Sequence, residues 1–443
     1  MYEVDHRYLK FVDFSSVESW SSYSILGRKL DYTKQFPFVK IGKFLKRNKT
    51  AIKIEDAKAY KRATIKINGN GIFLRDEVLG NVIGTKNQFL ITAKQFLLSK
   101  IDARNGAFGV VPNELDGGII TGNFWTFDVD YSIINPHFLT LITKTKAFQN
   151  LCQTASVGTT NRNYLQERDF LNFQIPLPSI AEQKAILDDY QQKIENAKQQ
   201  ETKAQTIEQS IEKYLFEELG IVEDSISNGF GLKIIEYKSL ERWDGKSSSS
   251  FNSKFSTVKV SELIKKISTG TTPPTNIKEY FEGDINFYAP SDLGKEMYLF
   301  NAERNISQKA IDDKKARVFE KNTLLFVGIG STVGKVGIIG NDYATSNQQI
   351  TGLNFNNRIF VEYAYYYFNY FTSVTIKEKT QATIPIVNQD KILNIPIPLP
   401  PLEKQKEIAK HISAIKDNIK SLKQNAETLK AEAEKEFEEK IFN

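Results

Sequence analysis

The sequence predicts an α+β fold made by tandem duplication, in which a mixed α/β globular domain is followed by a long helix and the pair is then repeated. Three observations lead there. Motifs recur in the same order at a spacing of half the 443-residue chain. Each half carries short β-branched runs broken by Gly and Asn, as mixed sheet structure does. Each half also closes on a long stretch without Gly or Pro whose apolar residues follow heptad spacing.

The repeat is visible residue by residue. Phe11-Val-Asp-Phe-Ser-Ser-Val-Glu-Ser-Trp20 aligns without gaps on Ile234-Ile-Glu-Tyr-Lys-Ser-Leu-Glu-Arg-Trp243. Ile175-Pro-Leu-Pro178 recurs as Ile397-Pro-Leu-Pro400, followed by Gln183-Lys184 against Gln405-Lys406 and Ile186 against Ile408. Glu212-Lys213 and Glu217 answer to Glu434-Lys435 and Glu439. The offset is 223 residues at the front and 222 at the back. The expected parts are a lead-in and first domain over 1–178, a first helix over 179–222, a second lead-in and domain over 223–400, and a second helix over 401–443.

In chain order, each lead-in ends at Trp20 or Trp243 and passes into a Ser-rich stretch. Val39-Lys40-Ile41 and Val258-Lys259-Val260 then open the globular sections. Strands are predicted at Ala63-Thr-Ile-Lys-Ile67, Phe89-Leu-Ile-Thr92, Leu324-Leu-Phe-Val327 and Val336-Gly-Ile-Ile339. The Ile-Pro-Leu-Pro signatures must be extended, because each proline keeps its predecessor out of the helical region. In the second helix Ile408, Ile412, Ile415, Ile419, Leu422, Ala426, Leu429 and Ala433 alternate spacings of four and three. Its Gly- and Pro-free run over 403–442 gives about 60 Å of helix at 1.5 Å per residue. The first helix, from Ile180 to a stop at Gly220, is less regular: Leu187, Tyr190, Ile194, Ala197, Ala204, Ile211 and Leu215 keep the seam, with Glu201 and Glu208 falling on it. Two such helices at equivalent places in a duplicated chain are expected to pack against each other.

Composition narrows the function classes. With 40% hydrophobic and 25% charged residues the chain can bury a core. The lone Cys152 excludes a disulfide framework or a cysteine-based zinc site, and His6, His137 and His411 are far apart, so no metal site is expected. The polar start, residues 1–10, and the absence of an apolar run of about 18 residues point to a cytoplasmic protein with no signal peptide and no membrane span. The net charge of +6 divides unevenly: +8 over 1–178, −6 over 179–230, +4 over 231–400 and zero over 401–443. The basic excess therefore belongs to the globular sections.

Catalytic motifs are fragmentary. Phe326-Val-Gly-Ile-Gly330 matches the loop with which methyltransferases hold S-adenosylmethionine, but no Asn/Asp-Pro-Pro-aromatic motif accompanies it; Asn135-Pro136-His137 lacks the second proline and the aromatic. The first half has Leu97-Leu-Ser-Lys-Ile-Asp-Ala-Arg-Asn-Gly-Ala-Phe-Gly109 at the equivalent place, without the motif, so a turn between two short strands is the better reading. Gly330-Ser-Thr-Val-Gly-Lys335 has the wrong spacing for a phosphate loop. No catalytic residue and no bound cofactor are expected.

What remains is polar and basic loop chemistry suited to DNA. The first section offers Lys46, Arg47, Asn48, Lys49, Lys100, Arg104, Asn105, Thr159, Thr160, Asn161 and Arg162. The second offers Thr269, Thr271, Thr272, Lys314, Lys315, Arg317, Ser331, Thr332, Lys335, Gln348 and Gln349. Arg and Lys pair with guanine O6/N7, Asn and Gln with adenine N6/N7, while Lys and hydroxyls hold phosphates. Taken singly, each is more readily a solvated surface residue.

Two variable sections, each followed by Ile-Pro-Leu-Pro, a Gln-Lys helix start and a long heptad helix, resemble the specificity subunit of type I restriction-modification systems. The most specific matches are residues 175–186, 397–408, Gly270-Thr-Thr-Pro273 and Tyr288-Ala-Pro-Ser-Asp292. The resemblance implies a non-enzymatic chain whose two target-recognition domains read a bipartite site on double-stranded DNA and whose two long helices pair as an antiparallel coiled coil. It implies two docked methyltransferase subunits, and restriction/translocase subunits where a nuclease accompanies them. S-adenosylmethionine and ATP/Mg would then sit on those partners. A stand-alone methyltransferase using residues 326–330 and a coiled-coil scaffold without DNA binding are the competing readings.

Overall fold

The computed structural model describes residues 35–157, 163–221, 253–379 and 386–442. The lead-ins ending at Trp20 and Trp243, and residues 159–162, lie outside them. The chain divides into two compact units, Met1–Gln199 with Asn425–Asn443 and Gln200–Gln424.

The strands of the first unit are β1 (Phe38–Lys40), β2 (Leu45–Asn48), β3 (Ala51–Lys53), β4 (Ala59–Ile65), β5 (Ile72–Leu79), β6 (Asn87–Leu90), β7 (Phe96–Ser99), β8 (Phe108–Val110), β9 (Ile119–Ile120), β10 (Phe124–Val129), β11 (Ser156–Val157), β12 (Tyr164–Leu165) and β13 (Gln174–Pro176). Helices α1 (Pro136–Lys144), α2 (Lys146–Thr154) and α3 (Glu167–Asn172) precede the long α4 (Ile180–Leu219). Sheets of order β2-β10-β7-β8 and β3-β6-β9-β4-β5 form the body, and β1 pairs with β13.

The second unit holds β14 (Thr257–Lys259), β15 (Ile264–Thr269), β16 (Ile285–Tyr288), β17 (Tyr298–Leu299), β18 (Asn305–Ile306), β19 (Val318–Glu320), β20 (Leu324–Val327), β21 (Val336–Ile339), β22 (Tyr343–Ser346), β23 (Ile350–Phe355) and β24 (Pro396–Pro398). Its helices are α5 (Gln308–Asp312), α6 (Val361–Lys379), α7 (Gln389–Leu393) and α8 (Leu402–Phe442). The sheet orders are β15-β23-β20-β21-β17, β18-β16-β22-β19 and β14-β24.

The duplication is architectural as well as sequential. The order β2-β10-β7-β8 in one unit is that of β15-β23-β20-β21 in the other, with every neighbouring pair antiparallel. Each domain is closed by pairing its opening strand with its Ile-Pro-Leu-Pro strand, Val39 opposite Ile175 and Val258 opposite Ile397. Antiparallel edge pairing tolerates these prolines, which have no N–H to give to a ladder.

A recurrent glutamine anchors the long helix to the signature before it. Gln183 is fully buried; its amide donates to the carbonyls of Ile133 (3.0 Å) and Pro178 (2.8 Å) and accepts from the Asn135 N–H (2.8 Å). Gln405 repeats this with Arg358 (3.1 Å), Pro400 (2.9 Å) and the Phe360 N–H (2.7 Å). Each amide ties the first turn of a long helix to its signature and to the chain entering α1 or α6.

The ends of α4 are locally encoded. Ser179 and Glu182 form a reciprocal cap, the Glu182 carboxylate accepting from the Ser179 N–H (2.8 Å) and hydroxyl (2.7 Å). At the other end Gly220 takes φ +61°, and the Ile221 N–H reaches back to the Phe216 carbonyl (2.8 Å), a Schellman stop that a side chain at 220 would strain.

The long helices pair antiparallel within each unit. In the first, Lys440 bonds Asp189 at 2.8 Å, Lys193 pairs with Glu436, and Tyr190 packs edge-on to Phe437. In the second, Lys404 meets Glu218 at 2.8 Å and Lys423 meets Glu208 at 3.1 Å. Leu187, Ile211, Leu215, Ile408, Ile412, Ile419 and Leu422 are buried, and Tyr190, Ile194, Ile415 and Leu429 are half-buried. One expectation is corrected: Glu208 does not lie in the seam. It is exposed in its ion pair with Lys423, while the neighbouring Ile207 packs on the core, since a 3.6-residue turn drifts off a strict heptad.

Replacing Gln405 by Ala strands one buried N–H and two carbonyls, which should cost about 2–4 kcal/mol and lower the thermal midpoint. The exposed control Glu403→Gln should change stability by less than about 0.5 kcal/mol. Calorimetry on the two variants checks both.

Candidate nucleic-acid interface

Strand direction gathers most of the candidate residues at one end of each repeated sheet. In the first unit Asn48 of β2 and Leu97 of β7 both face Thr126, and Ser99 faces Phe124. The carboxyl ends of β2 and β7 therefore emerge together. Lys49 follows the first strand, and Lys100, Arg104 and Asn105 occupy the loop after the second. In the second unit Thr269 of β15 and Phe326 of β20 both face Thr351. Thr271 and Thr272 follow the first strand, Ser331, Thr332 and Lys335 occupy the loop after the second, and Gln348 and Gln349 lead into β23.

The local chemistry differs from residue to residue. Arg47 is turned inward. Its guanidinium donates to the carbonyls of Asn48 and Thr126 (2.9 Å) and lies 5.8 Å from the Trp125 and 5.5 Å from the Phe127 ring centres. Glu167 stands 3.6 Å from its Nε, and burial pulls its pKa down against that carboxylate's opposing effect. Asn48 is likewise engaged, bonding the Asp128 carboxylate and accepting from Thr50. Lys46 is exposed, and exposed Lys49 reaches Glu167 at 3.5 Å.

The loop carrying Lys100, Arg104 and Asn105 is buttressed from below. The Asn68 and Gly69 N–H groups of the β4–β5 turn donate to the Asn105 (2.7 Å) and Gly106 (2.8 Å) carbonyls. Lys100 lies 5.4 Å from the Tyr164 ring centre, on the β11–β12 hairpin. The intervening candidates Thr159, Thr160, Asn161 and Arg162 lie outside the described residues.

In the second unit Gly270 is required by close packing, since a Cβ there would stand 2.3 Å from the Asn347 carbonyl and the Ser346 hydroxyl. The Tyr288-Ala-Pro-Ser-Asp292 motif is a turn pinned by Asp292, whose carboxylate accepts the N–H groups of Ala289 (2.7 Å) and Glu303 (3.0 Å). Burial near Asp292 pushes the Tyr288 hydroxyl up to about 12. Lys335 lays its stem over Gly294. Lys314, Lys315 and Arg317 are exposed on the turn into β19, where Val318 pairs with Thr345 beside the exit of β22.

Thr269, Gln348 and Gln349 share a cleft of about 360 Å³ with Ile329, Thr351, Ile386 and Gln389. Gln389 donates to the Thr269 hydroxyl at 2.8 Å, and the Thr272 hydroxyl donates to the Gln348 carbonyl oxygen. Gln389 and Ile386 escaped sequence reasoning; their only signal was a position shortly before the second Ile-Pro-Leu-Pro. Phe326 is buried in β20, and residues 328–335 form the turn to β21. Asn135 caps α1, accepting from the His137 N–H at 3.0 Å. Among the described residues no helix is long and apolar enough to cross a membrane.

Residues 34–209 and 252–431 match the type I restriction modification DNA specificity domain. The type I restriction enzyme MjaIX specificity subunit of Methanocaldococcus jannaschii is 34% identical over 166 residues, which span 37% of this chain and 38% of that protein. A solved chain described for complex assembly and conformational transition of the type I R-M system superposes with a TM-score of 0.62 at 17% identity, covering 92% of this chain and 96% of that one. The HsdS subunit of Thermoanaerobacter tengcongensis gives 0.50 at 17% identity over 91% and 96%. These two likenesses concern the fold.

Arg47→Met should lower stability by about 1–3 kcal/mol, because it takes the guanidinium away from two carbonyls and leaves Glu167 only the exposed Lys49. Lys49→Met should leave the melting temperature unchanged. Thermal denaturation of both variants checks the contrast; equal shifts would contradict the inward role of Arg47.

Proposed function

The chain belongs to the type I restriction-modification DNA specificity family, and we propose that it supplies the DNA address of a methyltransferase complex in the cytoplasm. Two unlike domains each read one half of a split sequence on double-stranded DNA. The observation that carries this reading is the repeated sheet end, where equivalent strands deliver polar and basic loops of different composition in the two units.

The chain is a non-catalytic recognition component. Two methyltransferase subunits attach equivalently, one per repeat, and bring S-adenosylmethionine; restriction/translocase subunits bring ATP and Mg. The acidic stretch 179–230, net −6, suits protein docking better than DNA, since phosphates repel it. The continuous 40- and 41-residue helices act as a ruler that gives the unread spacer one length.

Exchanging residues 255–395 for the corresponding domain of another specificity subunit should change one half of the recognised motif. Mapping methylated bases on a duplex library reads this, and alteration of both halves would refute the division of labour. Shortening both helices by two turns should change the spacer while keeping both half-sites. Binding to random duplex should fall steeply as salt rises, by about 10³-fold or more between 50 and 200 mM if six or more phosphates are contacted.

A further inference from the structure

The cleft in the second unit has a lining that matches one base-pair edge better than the others. Gln348 and Gln349 have their carbonyl oxygens engaged, by the Thr272 hydroxyl and by the Asn347 amide (3.1 Å); the Gln348 N–H groups are left to present, while the Gln349 amide donates to the Ile329 carbonyl (3.5 Å). Gln389 is tied the opposite way: its N–H₂ is held by Thr269, so its carbonyl oxygen is the end presented. The cleft thus offers donors and an acceptor whose rotamers are fixed before anything binds. Two exposed isoleucines, Ile329 and Ile386, stand paired at its rim, 36% and 52% exposed. Among the described residues that line it there is no Lys or Arg.

In the major groove an A·T pair presents the N7 acceptor, the N6 donor, the O4 acceptor and the thymine methyl. Amide donors, an amide acceptor and an apolar rim answer that set. A G·C pair presents two guanine acceptors, best met by Arg or Lys, and the cytosine N4 donor, but no methyl, so the apolar rim and the absence of Arg and Lys from the lining are what favour A·T. We propose that this cleft reads an A·T pair in the half-site of the second domain, with Gln348 donating to adenine N7, Gln389 accepting from N6, and Ile386 contacting the thymine methyl. The inference rests on the DNA-reading function proposed above and adds the base and the residues that choose it.

The test uses the full chain assembled with its methyltransferase subunits, with methylated positions mapped on a random duplex library. The half-site lost on exchange of residues 255–395 should contain a required A·T pair. Gln348→Ala and Gln389→Ala should each reduce the preference for A·T over G·C there by about tenfold, leaving the rest of the motif intact. Gln348 is exposed, so its variant folds irrespective of the fate of Gln389. Replacing that thymine by deoxyuridine should weaken wild-type binding several-fold and leave Ile386→Ala binding unchanged. A bipartite motif whose A·T requirement is absent, or survives both glutamine variants, overturns this inference alone. The lack of any bipartite motif overturns the proposed function as well.

Discussion

The buried amide at the start of each long helix is the constraint on which the rest of the architecture depends. Gln183 and Gln405 each satisfy three backbone groups from two separate segments in a dry environment, where an unpaired group is costly. One end of the bond set is the Ile-Pro-Leu-Pro strand, which is itself paired to the strand that opens the domain. The other is the chain entering α1 or α6. A single side chain therefore fixes how the domain, its closing strand and its long helix meet. In the second unit Tyr363 and Tyr367 reinforce this by donating to the carbonyls of Pro398 (2.7 Å) and Pro396 (2.6 Å).

That fixed junction leaves the opposite end of each sheet at liberty to vary. The equivalent loops carry Lys100, Arg104 and Asn105 in one unit and Ser331, Thr332 and Lys335 in the other, on hairpins of the same topology. A shared framework with unlike loops is the arrangement that the proposed two-part address requires. The charge division agrees with it, basic over the globular sections and acidic over the first helix. Under the proposed function, phosphate attraction belongs to the loops, and the helices are left for protein contacts.

The framework was legible in the sequence because its determinants are local or periodic. The stop at Gly220, the heptad run of the second helix and the strands at Leu324–Val327 and Val336–Ile339 all act within a few residues. Glu208 shows where this fails. An ideal heptad put it in the seam, but helical drift and the reach of Lys423 decided otherwise. Arg47 shows the same limit: in sequence it is one basic residue among Lys46, Asn48 and Lys49, while the fold brings Thr126, Glu167 and two aromatic rings around it.

By itself the sequence determined the duplication, the mixed domains and the two long helices, since each arises from patterns repeated along the chain. Only the tertiary structure decided which polar residues face outward and which serve the interior. It also joined Gln389 to Thr269 across 120 residues to complete the amide cleft. The physical reason is that hydrogen bonding and burial act through space, between strands whose neighbours are distant in sequence, and no local pattern records which side chains those strands will bring together.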